Sequence, residues 1–156
     1  MRKKSKYKPR PVHANSLYWV VSGLQPLTEN PEATTLRIKN HESLRSIVGG
    51  TGTKEQAGKL IAAMNMTEAL MLAGKGADWK CEIIQAQLAL ADMCERGMTT
   101  DCFAFTEDEK AAINLGMDIH DAQLDASSVV DIERGIKLVD TVVGKGQARK
   151  LTKETQ

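Results

Sequence analysis

Aromatic side chains are scarce in this chain, at 4% of its 156 residues. Stacking platforms for single-stranded nucleic acid depend on such rings, so that mode of binding is disfavoured. The core must instead be aliphatic, with the seven methionines filling irregular gaps. Cysteine is equally sparse. Cys81, Cys94 and Cys102 are odd in number and lack CxxC spacing, so they read as free thiols of a reducing compartment. No apolar run approaches the ~20 residues that cross a bilayer, and no membrane partner is expected. The opening MRKKSKYKPR is positive but has no hydrophobic segment directly behind it, so it does not read as a secretory signal.

What the chain does have is charge sorted by position. The totals, 21 basic and 20 acidic residues, nearly cancel. Residues 1–10 nevertheless hold six basic side chains and no acidic one, and residues 145–156 hold four basic against Glu154. The stretch 11–144 keeps 11 basic and 19 acidic side chains, a net of −8. Cations sit at the ends and anions in the body. Such a body repels a phosphate backbone, and no helix carries the Arg- or Lys-rich face of a DNA-reading element.

The pattern in between is helical. Pro9 and Pro11 favour an extended start. Leu17, Val20, Val21 and Leu24 share one face of a short helix capped by Asn15 or Ser16. Asn30-Pro31 supplies a cap and a first-turn proline for a helix reaching Val48, although TTLRIK at 34–39 alternates and is β-branched enough to suggest a strand. A helix starts at Thr53, and from Leu60 to Ala73 only Asn65, Thr67 and Glu68 are polar, so it is apolar nearly all round there, the signature of a helix in the middle of a bundle. A further helix runs from about Asp78 to Arg96, with Trp79, Ile83, Ala86 and Leu90 on one face and Gly97 expected as its C-cap. TTDCFAF connects to a capping box at Thr106–Glu109. In the last helix Val129, Ile132, Ile136, Val139 and Val143 recur at 3, 4, 3 and 4 residues, a two-heptad seam suited to self-association through 128–143. The reading is an all-α, compact bundle of five or six helices at 15–144. A basic extended arm at 1–14 precedes it and a charged tail at 145–156 follows.

Three groups of residues invite a function. Arg2, Lys3, Lys4, Lys6, Lys8 and Arg10, with Tyr7 among them, form an arm that neutralises phosphates or docks on an acidic protein surface. Asp118, Asp121 and Asp125 form an acidic stripe, which reads as an ordinary hydrated helix face, as a contact for a basic partner, or as a mimic of phosphates toward a nucleic-acid-binding enzyme. Asn65, Glu68 and His120 are the buried polar candidates. His120 falls on the apolar stripe Ile113, Met117 and Leu124, with Glu68 or Asn65 as its expected partner. A di-iron bundle requires Glu-x-x-His, but Ile38 and Met117 stand three residues before His41 and His120. The His120-Asp121 pair lacks the remaining ligands of a metal-dependent phosphohydrolase. No GxSxG elbow is present, and Gly49-Gly50-x-Gly52-x-Lys54 lacks phosphate-loop spacing and reads as an interhelical turn. No cofactor, metal site or catalytic residue is expected.

The segments KYKPRP at 6–11, IKNH at 38–41, ADW at 77–79 and HDAQLD at 120–125 resemble small proteins encoded by proteobacterial temperate phages and prophages. The resemblance implies the bacterial host cytoplasm and an accessory role in regulation, host takeover or counter-defence, with a host or phage protein or nucleic acid as partner. It transfers no catalytic residues. The alternatives are a virion structural or assembly component and a metal-binding or enzymatic bundle around His120.

Overall fold

The computed structural model describes residues 23–147. The arm residues Arg2, Lys3, Lys4, Lys6, Tyr7, Lys8 and Arg10, nearly all of the first expected helix and most of the charged tail lie outside them. Five α-helices follow in order: α1 (Pro31–Val48), α2 (Lys54–Leu72), α3 (Lys80–Thr100), α4 (Glu107–Asp125) and α5 (Val129–Gly144). Short 3-10 turns at Leu27–Glu29 and Ala77–Trp79 precede α1 and α3. The chain is an all-α bundle, with no strand among the described residues.

Local chemistry sets the helix starts. The Asn30 side chain accepts from the Glu32 and Ala33 amides, and Pro31 needs no amide partner in the first turn. Full capping boxes open α2 (Thr53 with Gln56), α4 (Thr106 with Glu109) and α5 (Ser128 with Asp131). The β-like alternation of TTLRIK is overridden. The segment is helical in α1, where its cap and the packing of Leu44 and Ile47 decide the conformation.

Helix α2 is the centre, packing on α1, α3, α4 and α5. Its Leu60, Met64 and Ala63 join Ile47, Leu90, Met93, Ile113 and Met117 in the main core, which Phe103 and Phe105 close from the α3–α4 connection. A smaller cluster of Leu27, Leu70 and Leu124 seats the start of α5.

Gly97 is not a C-cap. Helix α3 continues to Thr100 and ends at Asp101, which takes the left-handed conformation at φ 54°. Gly97 is buried inside the helix because a Cβ there would lie 2.5 Å from the Phe103 ring. The glycine makes room for that ring. Trp79 does not share the buried face of Ile83, Ala86 and Leu90 either. It sits in the 3-10 turn before α3 and is 47% exposed.

Candidate functional site

The sites foreseen from sequence fare differently. His120 is buried, and its partner is Thr67, not Glu68 or Asn65: Nδ1 lies 2.9 Å from Thr67 Oγ1. Glu68, one residue on, faces α3 and accepts from Gln87 Nε2 at 2.8 Å. The Thr67 hydroxyl has one hydrogen, which it donates to the Ala63 carbonyl at 3.0 Å. It therefore accepts from His120 Nδ1–H, leaving Nε2 bare and buried without a partner. Desolvation pushes the imidazole pKa down from 6.5 to about 4; Asp121 opposes this, and Arg37 and His41 reinforce it. The ring is neutral in the core at pH 7.

The acidic stripe is partly occupied from within. Asp121 Oδ2 lies 2.7 Å from His41 Nε2, and Asp125 Oδ1 accepts from Arg37 Nη2 at 2.6 Å. These contacts tie α4 to α1. Asp118 alone of the three faces another direction, into a groove. Among the described residues no three His, Cys, Asp or Glu side chains are grouped to hold a metal ion. Cys81 and Cys102 are exposed, and partial burial pushes the Cys94 thiol up. No helix among the described residues is long and apolar enough to cross a membrane.

The groove lies between the α2–α3 turn and the outer face of α4, with a volume of about 540 Å³. Gly74 and Gly76, at φ 92° and 82°, turn the chain sharply enough to bring Trp79 over α4. The far wall is Leu115, Asp118 and Ala122, and the base includes Ile119 and Gln123. Trp79 and Leu115, at 47% and 40% exposed, give it two large apolar surfaces open to solvent.

Charge in the groove is one-sided. Lys75 also lines it, but its ammonium is held by the Ala126 carbonyl at 2.7 Å and by Asp131 at 3.2 Å. Asp118 has no ion pair among the described residues, and Asp78 is exposed in the adjoining turn. Gln123 uses Nε2 to donate to the Thr67 and Lys75 carbonyls, at 3.2 and 2.7 Å, which fixes the turn against α4. Its Oε1 is buried without a donor. An indole, a leucine and an uncompensated carboxylate thus converge on a rigid base. Sequence reasoning missed the groove because it counted Trp79 as core; the one local signal was the Gly74-x-Gly76 pair. No protein-family model, curated protein or solved structure matches the chain.

Proposed function

We propose that the protein is a non-enzymatic binding module that holds a protein partner by seating one of its Lys or Arg side chains in the Trp79–Asp118 groove. In that reading it plays the accessory role implied by the phage and prophage resemblance, acting on a host or phage protein in the bacterial host cytoplasm. One observation carries it: an exposed indole and a carboxylate with no ion pair among the described residues line the same groove, while the one lysine lining it is already paired. A cation over an exposed indole gains about 0.5–1 kcal/mol, and a nearby carboxylate adds charge complementarity. Interfaces concentrate their energy in such Trp anchors. The basic arm, Arg2 to Arg10, is the second contact, meeting either the same partner or nucleic acid.

The test uses intrinsic fluorescence. The chain has two tryptophans, so Trp19→Phe leaves Trp79 as the reporter. Titration with an arginine octapeptide should change its emission saturably, and Asp118→Lys, an exposed position, should abolish the response. Trp79→Ala, followed by calorimetry, should weaken the same binding by roughly 2- to 5-fold. An equal response to a glutamate octapeptide, or undiminished binding by Asp118→Lys, sinks the proposal. Duplex oligonucleotide binding separates the arm's role. Phosphate contact by the arm predicts a log–log salt slope of about −4 to −5. That slope should vanish when the six cations of residues 2–10 become Gln and persist in Asp118→Lys.

A further inference from the structure

The seam expected on α5 is largely turned inward. Val129 and Ile132 pack on the Leu27, Leu70 and Leu124 cluster, and Val139 and Val143 line a cavity of about 340 Å³ against α2. The open helix face belongs to α2 instead. Gly58, Ile61, Asn65 and Leu72 fall on one stripe of that helix, with Ala62 and Ala69 beside it. Gly58 and Ala62 are exposed, Ile61 is 38% exposed and Leu72 66% exposed. Glu68, at the edge of the stripe, accepts from Gln87. Gly58 is the informative member. Glycine weakens a helix interior, and no described residue lies within 4 Å of where its Cβ would be, so nothing in the described fold requires it.

We propose that this face is a two-fold interface with a second copy of the chain, the two α2 helices packing antiparallel about Asn65. That register sets Gly58 against Leu72 of the other copy, Ile61 against Ala69, and Asn65 against itself. Each large side chain then meets a small one. Leu72 fills the space at Gly58, and Ile61 enters the cavity bounded by Ala69, Leu72, Val139 and Val143. A parallel pairing would instead oppose Leu72 to Leu72 and Gly58 to Gly58, knob on knob and hole on hole. The two Asn65 amides meet at the axis, where each can donate N–H to the other's carbonyl, and a lone polar pair of this kind fixes register.

Charge agrees with the antiparallel sense. Lys54 continues the stripe at the first turn of α2, where the helix dipole disfavours a cation, and the last turn of α2 holds no basic residue of its own. In the dimer each Lys54 lies beside the carbonyl end of the other α2, where a cation is favoured. From Lys54 to Leu72 the stripe is about 27 Å long. With the cavity walls it offers roughly 500 Å² per copy, near the low end of specific interfaces, so association at roughly 10–100 µM is expected.

Sedimentation equilibrium of the full chain, from about 1 µM to about 1 mM, reads the dissociation constant. Gly58→Leu should raise it at least tenfold, while the dilute monomer melts no lower than wild type because nothing there resists a side chain. Leu72→Ala should weaken the dimer too. The double variant Gly58→Leu, Leu72→Ala exchanges knob and hole and should return the constant to within about fivefold of wild type. Ile136→Asp, on α5, should leave it unchanged. A chain that stays monomeric to about 1 mM overturns the proposal. So does a dimer that survives Gly58→Leu, one that the double variant fails to restore, or one lost with Ile136→Asp, which would assign self-association to α5.

Discussion

At the scale of single residues, His120 carries the clearest consequence. An imidazole in an unfolded chain titrates near 6.5, whereas in the core desolvation holds it at about 4. The unfolded state therefore takes up the proton first. Stability from this residue is full above pH 6.5 and is lost as pH falls from 6.5 towards 4, with a ceiling on the order of 3 kcal/mol. Urea midpoints at pH 7 and pH 4.5 should show that loss in wild type and a smaller one in His120→Gln. The glycines give a paired test. Gly58 is exposed in α2 with open space where a Cβ would go, so Gly58→Ala should stabilise by up to about 1 kcal/mol. Gly97→Ala should destabilise by about 1–3 kcal/mol, because Phe103 must move and overpacking outweighs the gain in helix propensity. Thermal midpoints shifted in opposite directions would bear this out. The contrast also shows what a sequence hides. Gly97 looks like a helix stop until Phe103 is seen against it, and the two are in contact only once the chain has turned back.

At the scale of elements, the ends of helices were the most legible features. Asn30-Pro31 and Thr106 through Glu109 announce their helices because the chemistry of a cap is complete within four residues. Less visible was that Glu109 works twice. Besides accepting from the Thr106 amide at 2.8 Å, it binds Arg96 Nη1 at 2.7 Å and Nη2 at 2.5 Å, bracing the end of α3 to the start of α4. Burial pushes its carboxyl up, but Arg96 and Thr106 together outweigh this and hold it below its ordinary value. Glu109→Ala should cost about 2 kcal/mol, roughly twice Thr106→Ala, and should not add to Arg96→Ala because both remove the same pair. Denaturant titration of the three single variants and the double variant checks this. The groove was illegible at this scale. Trp79 has a helical spacing to Ile83, and only the left-handed turn at Gly74 and Gly76 takes it out of the core. Likewise the partners of Asp121 and Asp125 were hidden, because Arg37 and His41 come from a helix some eighty residues earlier.

At the scale of the whole molecule, the all-α architecture followed from periodicity, with α2 central because it has no polar face to spare. The sequence also sorts its charge by segment, but the described body adds what no charge count contains: intramolecular pairing uses Asp121 and Asp125 and leaves Asp118 facing a groove. The pairing of residues 25–27 with 127–129 has its own bearing on how the chain comes together. Helices α1 and α2, and α3 and α4, are neighbours in sequence and can meet early, whereas this stitch closes a loop of about a hundred residues and gains little until both ends are ordered. It should therefore form after the rate-limiting barrier. Leu27, buried with Leu70 and Leu124, reports on it: Leu27→Ala should accelerate unfolding and leave the refolding rate nearly untouched in stopped-flow chevrons, whereas Ile113→Val in the main core should slow refolding. The seam where the two distant stretches meet would then be the last part of the fold to assemble and the first to let go.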